Sequence, residues 1–153
     1  MKVKNIWMFV LLTITYGCAL LPMELAYPVK GVAIMPPETD YNTAFQTAQN
    51  VMVEAGYSIT QSNPQTGLIS GQKGKENVIV YNYQFIKDAK KQVMMVMVVD
   101  YKPGPKSVLG APPPQLARAD MVRTAKMVAN KVGIRENNVL IQFNGEQKPL
   151  SSY

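Results

Sequence analysis

No histidine occurs in the 153 residues, and cysteine occurs once, at Cys18. The first absence removes His-dependent nucleophilic triads, imidazole general bases and imidazole metal ligands. The second removes any intrachain disulfide, so the fold must stand on packing alone. Acidic residues number 10 against 16 Lys and Arg and are scattered; no Asp-x-(Asp/Asn)-x-(Asp/Asn)-Gly calcium loop is present. Gly71-x-x-Gly74 and Lys73-Gly-Lys75 lack the Gly-Lys-Ser/Thr ending of a phosphate loop and read as a tight turn. Ser70 and Lys73 formally permit Ser–Lys chemistry, but no stretch supplies a convergent base and oxyanion donors, and they read as polar surface. The chain therefore reads as no enzyme, with no cofactor and no metal. The basic residues form no dense block, which argues against a nucleic-acid partner.

What is present begins with the leader. Met-Lys-Val-Lys-Asn carries two lysines and no acid, and residues 6–16 are apolar or uncharged. That run is shorter than the roughly 20 apolar residues a membrane-spanning helix needs and fits a signal-peptide core. Gly17-Cys18 follows directly. This ending resembles the lipobox of bacterial lipoproteins, Leu-(Ala/Ser)-(Gly/Ala)-Cys, at its two most demanding positions, while Thr15 and Tyr16 depart from it. The resemblance implies a diacylglyceryl group on the Cys18 thiol, cleavage after Gly17, and palmitate-type acylation of the new amino terminus. It implies membrane attachment through lipidated Cys18. Ala19, in place of the aspartate that retains lipoproteins in the inner membrane, implies the outer membrane, with the domain facing the periplasm and cell-surface exposure left open. Cleavage removes Lys2 and Lys4, lowering the net charge from +6 to +4.

Residues 18–28 read as a short apolar tether, with a reach of at most about 35 Å. Residues 29–145 read as a single α+β domain and 146–153 as a flexible tail. A strand over 29–35 ends at Pro36-Pro37. Thr39 or Asp40 then caps a helix whose apolar stripe is Tyr41, Ala44, Phe45, Ala48, Val51, Met52 and Ala55, closed by Gly56. A hairpin follows, 57–62 and 68–72 around Asn63-Pro64-Gln65-Thr66-Gly67, and then two long strands, 78–86 and 92–101. In the first of these Ile79, Tyr81, Tyr83 and Phe85 share one face and Val78, Val80 and Ile86 the other. One face meets the helices; the second needs cover or a partner. Met94-Met95-Val96-Met97 has thioether chemistry suited to Cu(I), but alternation separates Met94 from Met95 and Met97, and core filling is the better reading.

A proline-rich connection over 102–114 precedes a helix opened by Pro113 or Pro114, with stripe Leu116, Met121, Val122, Ala125, Val128, Ala129 and Val132 and an ending at Gly133. A last strand covers 139–143. The predicted order is β-α-β-β-β-β-α-β, a mostly antiparallel sheet with two helices packed on one face. Ala44, Phe45, Ala48, Gly56, Tyr57, Ile59, Gly67 and Ile69 fall in a pattern that resembles small lipoprotein domains of Gram-negative envelopes. The layout is similar to the helix-grip domains of β-barrel-assembly-machine lipoproteins. The resemblance is to architecture and implies no ligand.

Two functions fit. The first is a non-enzymatic interaction or accessory module of the cell envelope, contacting another envelope protein through a sheet face or edge and a loop carrying Pro103, Pro105, Val108, Leu109 and Pro112. The second is a small-ligand or lipid-headgroup binder with a pocket between sheet and helices, lined by Tyr81, Tyr83, Phe85 and the methionines.

Overall fold

The alternating apolar pattern of residues 78–102 sets the architecture. Tyr81, Tyr83 and Phe85 on β4 (Val78–Lys87) and Met95, Met97 and Val99 on β5 (Val93–Lys102) are buried on one face. The strands pair antiparallel from Val78↔Lys102 to Lys87↔Val93. Beyond β4 lie β3 (Leu68–Lys73) and β2 (Ser58–Asn63). Beyond β5 lie β1 (Val29–Ile34), β6 (Leu140–Phe143) and β7 (Glu146–Pro149). The result is a seven-stranded antiparallel sheet of order β2-β3-β4-β5-β1-β6-β7. This computed structural model describes residues 27–75, 78–102 and 113–153.

Two helices pack on the buried face, giving the α+β arrangement predicted from the sequence. Helix α1 (Tyr41–Glu54) buries Ala44, Phe45, Ala48, Val51 and Met52. Asp40 caps it by accepting a 2.8 Å bond from the Thr43 amide, and the Thr43 side chain together with that amide holds the Asp40 carboxyl below its usual range. Helix α2 (Pro114–Lys131) starts with proline in its first turn. Each helix runs into a glycine at positive φ, Gly56 at 83° and Gly133 at 76°. In each case a following amide bonds back into the last turn: Tyr57 N to Met52 O at 3.0 Å, and Ile134 N to Ala129 O at 2.8 Å.

Two findings refine the sequence-based reading. The α2 stripe is Ala117, Met121, Val122, Thr124, Ala125, Val128 and Ala129, whereas Leu116 is 59% exposed. One residue ahead of Ala117, Leu116 is turned about 100° away from the stripe. The expected boundary at 145 and flexible tail over 146–153 are replaced by β7 and a 3-10 turn at Leu150–Ser152. Asn144 and Gly145, both at positive φ, fold the chain back on β6, and the Leu150 side chain is fully buried while its amide donates to Val139 O at 2.8 Å. The sheet thus gains one strand beyond the predicted order.

Candidate interaction surface

The helices shield one side of the sheet; among the described residues the other side is open. On it Ile34 pairs with both Leu140 and Met94, and Met94 pairs with Ile86. Four apolar side chains therefore stand in one row across β6, β1, β5 and β4. In the next row Val32 and Val96 lie between Gln142 and Gln84, and in the one after that Val98 lies between Lys30 and Asn82. Ile34, Leu140, Met94, Val32, Val96 and Val98 are half-buried, and Ile86 is 37% exposed. Alternation forces this outcome: a strand apolar at every position from Val93 to Val99 buries Val93, Met95, Met97 and Val99 and presents Met94, Val96 and Val98 to the far side.

The covered side is closed by rings. Tyr57 and Tyr81 have centroids 4.5 Å apart, Tyr81 and Tyr83 6.1 Å, and Phe45 and Phe85 5.6 Å. The Tyr81 hydroxyl donates to Asp120 Oδ2 at 2.7 Å, the Tyr57 hydroxyl reaches the same oxygen at 3.4 Å, and Arg123 Nη2 donates to Oδ1 at 2.8 Å. Burial pushes the Tyr57, Tyr81 and Tyr83 phenols above their ordinary range, so they stay neutral; the nearby Asp120 carboxylate adds to the effect. This network ties α2 to β4. The second function places a ligand pocket among Tyr81, Tyr83, Phe85 and the methionines; there the three rings, Met95 and Met97 are packed together and none is more than 2% exposed.

Open space lies farther along the same side. A groove of about 870 Å³ runs between the outward flank of α2 and the β6–β7 hairpin. Phe143 forms its floor, Val122 and Met127 part of its wall, and Tyr153 stacks edge-on against Phe143 at 6.1 Å. Arg118 holds its guanidinium 5.9 Å from the Phe143 ring.

Ser70 and Lys73 do not converge. The Ser70 hydroxyl donates to Asn82 Oδ1 at 2.7 Å on the open side, while Lys73 Nζ donates to Ala55 O at 2.9 Å and stands over the Tyr57 ring on the helix side. Met95 and Met97 are fully buried and Met94 faces the open side, as alternation predicted. Gly17 and Cys18, and the loop residues Pro103, Pro105, Val108, Leu109 and Pro112, lie outside the described residues. Among the described residues no helix is long and apolar enough to cross a membrane. The sequence reading did not single out Arg118 or Asp120. Arg118, Val122 and Lys126, spaced by four, mark a second face of α2 that the spacing alone could have revealed. The Tyr57–Asp120 contact joins residues 63 apart and leaves no local trace. No protein-family model matches the chain, and no curated protein matches it.

Proposed function

We infer that the protein is a lipid-anchored, non-enzymatic interaction module of the bacterial envelope, held at the outer membrane through acylated Cys18 and docking another envelope protein on its open sheet face. The observation that carries the reading is the unbroken apolar row Leu140–Ile34–Met94–Ile86 on a face that neither described helix covers. Such a contiguous patch on a folded domain is the usual mark of a partner surface. The tether enters β1 at Val29, and the row lies at the other end of that strand, five residues and roughly 17 Å away. The unbroken row is therefore set back from the strand end that the tether enters, which supports a protein partner rather than the lipid surface itself.

A photo-crosslinker placed in intact cells at Val96, with Val53 on the outer side of α1 as control (55% exposed), tests this. The expected result is one defined adduct from Val96, none from Val53, and loss of the adduct in Ile34→Glu. Ile34 is half-exposed at a strand end, so that variant should keep its stability to within about 1 kcal/mol. A self-adduct would replace the partner with a second copy. Adducts only to lipid, or equal yields from Val96 and Val53, would overturn the reading.

A further inference from the structure

Thioether sulfur is distributed unevenly over the sheet. Seven of the ten methionines lie among the described residues, and five of them, Met35, Met52, Met95, Met97 and Met121, are at most 1% exposed. Of the seven, only Met94 and Met127 keep contact with solvent. Met127 lines the groove beside α2, whereas Met94 stands in the apolar row of the open face, between Ile34 on β1 and Ile86 on β4. Alternation makes the division sharp. Met94 and Met95 are chain neighbours on opposite sides of the sheet, and Met95 and Met97 pair with Phe85 and Tyr83 in the buried layer.

A thioether is oxidised where an oxidant can reach its sulfur; a sealed one must wait for the fold to open. With hydrogen peroxide, a sulfur lone pair takes one peroxide oxygen, the O–O bond breaks and the other oxygen leaves as water. The sulfur loses two electrons and the peroxide gains them, and methionine sulfoxide reductases reverse the change. The product puts a polar acceptor where a pliable apolar group stood. At Met94 the cross-strand neighbours Ile34 and Ile86 offer it no donor, and the Gln84 amide, diagonal to it, already donates to Thr66 O. Water satisfies the sulfoxide in the free protein. An apolar partner surface does not, and an unpaired acceptor buried there is costly.

We propose that Met94 is an oxidation site that controls docking on the open face: peroxide converts its thioether to a sulfoxide in the free protein, and the sulfoxide disables the row for its partner. The proposal rests on the docking reading given above and adds its regulation. The fold is spared, because the sulfoxide stays in water while the core methionines remain sealed.

The test has two arms. Full-length protein in detergent is treated with hydrogen peroxide for graded times, and fragmentation of the tryptic peptide that begins at Gln92 assigns the added oxygen among Met94, Met95 and Met97. Met94 is expected to oxidise at least about tenfold faster than Met95 or Met97, with the thermal unfolding transition retained once Met94 is converted. In cells carrying the crosslinker at Val96, peroxide before irradiation should cut the adduct at least about tenfold, with Met94 found oxidised in the recovered protein. In Met94→Leu, which conserves volume and cannot take up oxygen, the adduct should not change with peroxide, whatever its starting level. Met94→Gln, a polar stand-in for the sulfoxide, should lose the adduct without peroxide, and its unfolding transition shows that it stays folded. Met127→Leu removes the other solvent-contacting thioether and should respond to peroxide as the wild type does. Equal oxidation rates at the three methionines, an adduct unchanged after Met94 is converted, or one lost equally in Met94→Leu would overturn the proposal alone. An adduct missing before any peroxide is added would overturn the docking reading and the proposal with it.

Discussion

Cys18→Ser is expected to reduce incorporation of labelled palmitate to background and to clear the protein from the outer-membrane fraction. Each buried CH₂ of an acyl chain contributes about 0.8 kcal/mol, and a single chain gives only marginal binding, so the two or three chains proposed at Cys18 would hold the domain effectively permanently. Serine keeps the size of the side chain and removes the thiolate nucleophile, so the change falls on attachment alone. The residues described structurally begin at Tyr27, well beyond the substitution, and the domain should unfold at the same temperature as the wild type. Label retained at wild-type levels in Cys18→Ser would move the acylation elsewhere and remove the basis for the proposed location.

Gly67→Ala is expected to destabilise the domain by about 3 kcal/mol, the largest effect of any single methyl addition in the hairpin. Gly67 has φ of 71° and closes the turn that Asn63 organises by accepting from the Gln65 amide at 2.9 Å. Its carbonyl accepts from Phe85 N at 2.8 Å, so its backbone lies directly against β4. A β-carbon there would meet the Phe85 carbonyl oxygen and stand 2.5 Å from the Tyr41 hydroxyl oxygen, whose own partners are Pro64 O at 3.2 Å and Phe85 O at 3.4 Å. Two backbone atoms and a tethered ring must shift together, and the left-handed conformation adds its own strain. Gly145→Ala separates the two costs. Gly145 has φ of 84° with nothing within 4 Å of the added carbon, so it should lose only about 1 kcal/mol. Urea unfolding of the pair measures the difference; equal losses would mean that the close approach at Gly67 contributes nothing.

Much of this was legible in the sequence because the signals were local. The stripe from Ala44 to Met52 steps by three and four and ends at a glycine, and it folded as that pattern requires. The split of Met94 from Met95 and Met97, and of Tyr81 from Val80, follows from strand alternation with no tertiary information. The same alternation pointed to a second sheet face in need of cover, and that face is open among the described residues.

What was not legible depends on pairing at a distance. Strand β7 reads Glu-Gln-Lys-Pro, wholly exposed and without an apolar alternation, so only the Asn144-Gly145 turn hinted that the chain folds back. The groove is built from α2 and a hairpin that begins only after the helix has ended, and neither segment alone indicates a cleft. Arg118 looks like one more solvated cation in sequence. The fold sets its guanidinium 5.9 Å from the Phe143 ring and buries its Nε, and among the described residues no carboxylate forms an ion pair with it.

The measurement that bears most directly on the proposed function is the intact mass of the protein extracted from membranes. The account predicts a chain that begins at Cys18 and is heavier than residues 18–153 by a diacylglyceryl group and an amino-terminal acyl chain. A mass equal to unmodified residues 1–153, or to an unlipidated chain beginning at any other residue, would contradict it.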